Sequence, residues 1–155
     1  SLVNVKGYKQ SKCTERRIAK AAGRLTYAFA NADVPKVTVV IGEAYGSAYV
    51  TMNSKSIGAD IVYAWPDAKI GMMDAAAAVK IMYAEEISAS DKAAALISEK
   101  AAEYEALQSS AAAAAGRGYV DDIIKADETR QRVIAAFEML FTKREGRPSR
   151  KHGTV

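Results

Sequence analysis

Cysteine and histidine are almost missing: Cys13 and His152 are the only ones among 155 residues. One cysteine excludes an intramolecular disulfide framework and fits a reducing compartment. A single histidine close to the C-terminus leaves no Ser-His-Asp or Cys-His grouping within the chain and no zinc constellation, so no metal site is expected. Neither a P-loop nor a G-x-G-x-x-G fingerprint occurs. No apolar run approaches the roughly 20 residues of a membrane span, and no signal-peptide core opens the chain, so the expectation is a soluble, cytoplasmic protein. The net charge of +4 is modest. Its basic excess lies mainly at Lys6–Arg24 and Lys143–Lys151 without a recognised nucleic-acid motif, and nucleic acid is not an expected partner.

What is present is an ordinary globular balance, half hydrophobic and a quarter charged, at the length of one domain. Leu2–Val5 is a short apolar strand. Ile18, Ala22, Leu25 and Phe29 then make one apolar stripe of an amphipathic helix over 14–31. Pro35 turns the chain into the β-branched run Val37–Ile41, so strand, helix and strand predict a parallel pair. A helix is expected from Ser47 to near Gly58, strands at Ile61–Ala64 and Lys69–Met73, and a helix over 75–86 capped by Asp74. Ser90 or Asp91 starts another helix, Ala111–Ala115 reads as a close-packed helix stopped by Gly116 and Gly118, and Tyr119–Ile124 as a short extended return. Asp127 or Thr129 is expected to cap a last helix with a stripe of Val133, Ile134, Phe137, Leu140 and Phe141. The strand–helix repetition argues for an α/β fold of parallel layers.

The informative stretch is Glu43–Met52. A strand runs into Tyr45-Gly46-Ser47-Ala48-Tyr49-Val50, where small residues sit at the strand-to-helix turn. The first amides of a helix have no intrahelical acceptor, and such N–H groups suit a developing oxyanion. The plainer alternative is a tight joint that needs small residues only for packing. Glu43, Asp60, Asp67 and Asp74 form no pair legible in the sequence, so a catalytic chain of this composition works through backbone amides or a group on a cofactor.

Several motifs in order carry a family resemblance. V-P-K-V-T-V-V, A-Y-G-S-A-Y-V-T-M, A-D-I-V-Y-A-W-P-D-A-K-I-G-M-M, R-G-Y-V-D-D-I-I and the terminal R-P-S-R-K-H-G resemble the carboxyltransferase subunits of biotin-dependent acyl-CoA carboxylases and decarboxylases, of propionyl-CoA carboxylase β and methylmalonyl-CoA carboxyltransferase type. The resemblance runs from Leu2 to the tail and covers the C-terminal half of such a subunit. With an abrupt start that lacks an initiator Met, it makes residues 1–155 an expected fragment, one C-terminal carboxyltransferase domain.

The resemblance implies a crotonase-like spiral of ββα units. It implies a site shared with an N-terminal carboxyltransferase half that holds the acyl-CoA, within a homo-oligomer. Biotin would arrive on a separate biotin carboxyl carrier protein or domain. The family's biotin-side oxyanion hole is made of backbone N–H groups, which here are those of Ser47 and Ala48. Gly46, Tyr45, Tyr49 and Val50 fall at the substrate-binding positions around it, with Tyr45 and Tyr49 either flanking biotin or packing the core.

Three departures accompany the resemblance. Ser47 replaces a glycine of Gly-Gly-Ala, which matters if that position needs a positive φ. Val50 replaces an acid found in propionyl-specific members and implies a more apolar acyl pocket. The loop Gly7-Tyr8-Lys9-Gln10-Ser11-Lys12 lacks the second glycine and the proline of G-F-x-P-G. Beside it, Lys9, Lys12, Arg16 and Arg17 are expected to form a solvated helix face. The altered loop keeps a non-catalytic assembly domain, or another acyl-CoA enzyme of the same fold, as alternative readings.

Overall fold

A computed structural model describes residues 1–146; Arg147, Arg150 and Lys151, which fit the family's terminal motif and are expected to be structural, lie outside the described residues, as does His152. The spine is β2 (Val37–Tyr45), nine residues that begin with a run of buried β-branched side chains. Such a run is suited to a parallel strand covered on both faces. β1 (Leu2–Val5) pairs with it in parallel after the long helix α1 (Lys12–Asn31). The first part of β2, Val37–Val40, pairs with β3 (Ile61–Ala64), and its last part, Glu43–Tyr45, pairs with β4 (Lys69–Gly71). β5 (Asp122–Ile123) adds to the far edge of β3, and every one of these pairings is parallel.

β2 changes partner midway because it bulges. Its register with β1 shifts between Val3 and Val5. At the shift, Asn4 Oδ1 accepts the Glu43 N–H at 3.0 Å and occupies the space where a Cβ on Gly42 would fall, 2.7 Å away. Glycine there lets the Asn4 side chain repair the ladder that the bulge interrupts.

Alternate residues of β2 and β3 divide between two cores, as the two-residue period of a strand requires. Val40, Ala44, Val62 and Ala64 join Val3, Tyr49 and Ile70 on one face, closed by Ala111 and Ala114 of α6 (Ala111–Gly116). Val37, Val39, Ile61 and Tyr63 pack with Ile124 and with Ala136 of α7 (Thr129–Met139) on the other. The close-packed alanine helix expected at 111–115 is therefore present, and its alanines let it approach the sheet.

Several expected boundaries move, each for a local reason. The helix expected to run to near Gly58 stops as α2 (Gly46–Val50). Asn53, with φ of 64°, turns the chain back so that its carbonyl accepts the Thr38 hydroxyl at 2.7 Å. A short 3-10 turn, Lys55–Ile57, follows. The helix capped by Asp74, whose carboxylate accepts the Ala76 and Ala77 N–H groups, breaks at Tyr83 into α3 (Ala75–Met82) and α4 (Ala84–Ala89). α5 (Ala93–Tyr104) runs into a π-helical turn, Glu105–Ser109, that no periodicity announced. Neither Asp127 nor Thr129 caps α7. The Thr129 side chain is bonded elsewhere. Its hydroxyl accepts the Trp65 indole N–H at 2.9 Å and faces the Lys125 carbonyl, while Glu128 stands at the cap without a side-chain bond.

Polar residues of the quoted motifs hold the layers together. Asp121 of the R-G-Y-V-D-D stretch accepts the Val62 N–H at 2.8 Å and ion-pairs with Lys55 at 2.7 Å. Asp60 accepts the Lys36 N–H at 2.7 Å and meets Lys143 at 2.8 Å, and Lys143 also meets Glu145 at 2.7 Å.

Asn53 is buried, its amide donates to Thr38 Oγ1 at 2.9 Å, and its left-handed backbone suits Asn better than Ala. Asn53→Ala is expected to lower unfolding free energy by about 1–3 kcal/mol, read from the denaturant midpoint. For Lys143, burial acts against the charge, but the hydrogen bonds its ammonium donates to Asp60 and Glu145 outweigh it and hold its pKa above the ordinary value. A cation raised on folding stabilises fully below its unfolded pKa of about 10.4 and loses that stabilisation as pH climbs through the higher folded value. The melting temperature of the parent chain is therefore expected to fall more steeply above about pH 10.4 than that of Lys143→Met.

Candidate active site at the end of the central strand

β2 delivers the chain extended, with Tyr45 at φ −117° and ψ 138°, and the next residue reverses direction. Gly46 does this at φ +60°, in the left-handed region, and a Cβ there would stand 2.9 Å from the Met72 carbonyl oxygen. Both facts demand glycine at 46. Among the described residues the only non-glycine residue with positive φ is Asn53. Ser47 is thus free of the conformation that would make serine costly, and the Gly-to-Ser departure leaves the backbone at 47 unstrained.

α2 is one turn long, and the backbone N–H groups of Ser47 and Ala48 have no acceptor among the hydrogen bonds of the described residues. Their carbonyls, by contrast, are engaged. Ser47 O accepts the Thr51 N–H at 3.0 Å, and Ala48 O accepts the Thr51 hydroxyl at 3.0 Å. Around the turn Ser47 is exposed, Gly46 and Val50 are half-buried, and Tyr45, Ala48 and Tyr49 are buried.

The two tyrosine rings pack. Tyr49 belongs to the core that contains Val40, Val62 and Ile70, and its hydroxyl, buried, has no partner among the described residues. Tyr45 lies against Gly71 of β4, 3.9 Å from the point where a Gly71 Cβ would be. Burial, then the carboxylates of Glu43, Glu105 and Asp74, push the Tyr45 phenol up to about 12. Burial alone raises Tyr49. Both phenols are therefore neutral near pH 7 and neither serves as a base there.

Three of the four carboxylates singled out in the sequence have structural work, and the fourth, Asp67, is exposed. Glu43 pairs with Lys6 at 3.1 Å, Asp74 caps α3, and Asp60 joins Lys36 to Lys143. The described residues hold no group of three or more His, Cys, Asp or Glu placed to bind a metal ion. No helix among them is long and apolar enough to cross a membrane. Lys9, Lys12, Arg16 and Arg17 are exposed, as a solvated face requires.

A depression of about 390 Å³ lies between Pro66–Lys69 and the π-helical segment, and none of Tyr45–Val50 lines it. Its wall is the Lys69–Glu105 ion pair at 2.6 Å, whose hydrogen bond raises Lys69 despite partial desolvation. π-helical turns of this kind accompany functional sites often, yet nothing in the sequence marked this one. Large apolar side chains stay uncovered nearby and beyond: Met72, Ile81, Met82, Leu107, Phe137 and Phe141 are all exposed, and α1 buries none of its residues completely.

The chain resembles known proteins over its whole length. The family model described as the carboxyl transferase domain matches residues 1–155. The methylmalonyl-CoA carboxyltransferase 12S subunit of Propionibacterium freudenreichii subsp. shermanii is 43% identical over 136 residues, 88% of this chain and 26% of the relative. The propionyl-CoA carboxylase carboxyltransferase subunit of Haloferax mediterranei is 41% identical over 156 residues, 100% of this chain and 30% of the relative. The chain thus spans under a third of these relatives' length. The crystal structure of the transcarboxylase 12S hexamer, with methylmalonyl-coenzyme A and methylmalonic acid bound, superposes with a TM-score of 0.92 at 41% identity, covering 98% of this chain and 29% of that one. The α/β architecture is accordingly the crotonase-like one, and the chain belongs to the carboxyl transferase domain family.

Proposed function

We propose that this chain forms the biotin-side half of a carboxyltransferase site that exchanges a carboxyl group between carboxybiotin and a short acyl-CoA. The observation that carries the reading is the pair of acceptor-free amides at Ser47 and Ala48, behind a glycine forced into the left-handed region. When bound, carboxybiotin supplies the activated carboxyl group and a urea oxygen on which negative charge grows. The chain's own part is to offer fixed N–H dipoles to that oxygen. Donors held rigid before reaction stabilise developing charge without reorganising, so a site of this kind needs no side-chain base. The neutral Tyr45 and Tyr49 fit that role as supports of the turn, and the absence of a partner for the two amides fits an anionic ligand atom.

The acyl-CoA, the biotin carrier and the N-terminal carboxyltransferase half are assigned to the protein of which this chain is a part. The exposed apolar residues of α3 and α7 and the incompletely buried α1 support docking of that half and of further copies. Val50, half-buried at the end of α2, is assigned to the acyl side, where its apolar surface favours an uncharged acyl group.

The test is carboxyl exchange between free biotin and an acyl-CoA by the full-length protein. Ser47→Ala is expected to keep the rate, because the donor belongs to the backbone. Ser47→Pro removes one N–H at a first-turn position that tolerates proline, and is expected to lower kcat about 100- to 1,000-fold while the protein stays folded by circular dichroism. Equal rates for the two variants would reject the reading.

A further inference from the structure

We propose that Tyr8 is a positioning residue for the Ala48 amide, a role that rests on the oxyanion reading of the Ser47–Ala48 turn. Tyr8 stands in the loop after β1, and its hydroxyl lies 3.3 Å from the Ser47 carbonyl oxygen and 3.3 Å from Thr51 Oγ1. The Thr51 proton is already committed to the Ala48 carbonyl at 3.0 Å. Tyr8 therefore has one proton for two acceptors. Both distances are longer than the usual 2.7–2.8 Å of a two-centre O–H···O bond, as a shared proton requires.

The consequence lies in the geometry of one peptide group. The Ser47 carbonyl and the Ala48 N–H belong to the same plane and point in opposite directions. Whatever holds Ser47 O therefore aims Ala48 N–H. Two donors hold it, the Thr51 N–H at 3.0 Å and the Tyr8 hydroxyl, and they come from different parts of the chain. Thr51 lies in the turn itself and moves with it. Tyr8 lies 39 residues away in sequence and anchors the peptide to the β1 side of the sheet.

A donor on the carbonyl also withdraws electron density through the amide, which strengthens the N–H on its other side. Tyr8 thus fixes the direction of the Ala48 dipole and deepens it without touching substrate. The adjacent carbonyl, Ala48 O, is held by the Thr51 hydroxyl, so the turn is oriented through these two carbonyls, while among the described residues the Ser47 and Ala48 N–H groups have no acceptor. This gives the altered Gly7–Lys12 loop a task.

The test compares Tyr8→Phe, Gly46→Ala and the parent in the full-length protein. Tyr8→Phe removes one hydroxyl from a ring that is 36% exposed, and the protein is expected to fold with an unchanged melting temperature. Its kcat for carboxyl exchange with free biotin is expected to fall about three- to tenfold with the KM for acyl-CoA unchanged, the loss of one neutral hydrogen bond at the transition state. Deuterium uptake of the peptide spanning residues 45–52 is expected to quicken without substrate or biotin present. An unchanged kcat in Tyr8→Phe, beside a Gly46→Ala variant slowed a hundredfold or more, would overturn the role of Tyr8 and spare the turn. Parental exchange by Gly46→Ala would overturn the turn, and Tyr8 with it. A fall in kcat matched by an equal fall in folded fraction would also overturn the proposal.

Discussion

The reversal at Gly46 is the constraint on which the rest depends. A strand that ends in extended backbone must turn within one residue to start α2, and the Met72 carbonyl packs where a side chain would otherwise go. Only glycine meets both conditions at no steric cost. Because the left-handed step is taken at 46, positions 47 and 48 enter the helix in ordinary conformation, and among the described residues their N–H groups have no acceptor. Ties at and just beyond the turn fix its carbonyls: Thr51 on Ser47 and Ala48, Tyr8 on Ser47, and Thr38 on Asn53.

The sheet is built to present this turn. β2 leaves β3 after Val40 and joins β4 at Glu43, and the bulge at Gly42, filled by Asn4, makes the switch. β4 in turn carries Gly71 against Tyr45 and leads to Met72, whose carbonyl closes on Gly46. The turn is therefore determined from both sides by strands, which move less than loops. A site made of main-chain dipoles needs that rigidity, since its donors cannot rotate to find the charge.

Much of this was legible in residue order. The β-branched run at Val37–Ile41, the small residues after Tyr45, the Asp74 cap and the alanine helix at 111–115 all appear where patterning put them. What patterning missed is tertiary. The end of α2 at Val50 is set by a hydrogen bond from Thr38, 15 residues earlier in sequence. Thr129 is drawn from capping into a bond with Trp65, 64 residues away. The break at Tyr83 and the π-helical turn leave no local mark. The doubt over serine at 47 was also a question of φ, which composition cannot answer and the position of Gly46 does. The Tyr8 contact spans two segments that no single motif joins. Structural roles for Asp60 and Asp121 likewise come from partners brought together only by folding.

The central claim is that the amides of Ser47 and Ala48 hold a urea oxygen, and a crystal structure of the full-length protein with biotin bound tests it most directly. The account predicts that oxygen within hydrogen-bond reach of both nitrogens, at about 2.7–3.2 Å, with Gly46 still in the left-handed region. Biotin seated elsewhere, or its urea oxygen held by side chains while the two amides point away, would contradict it.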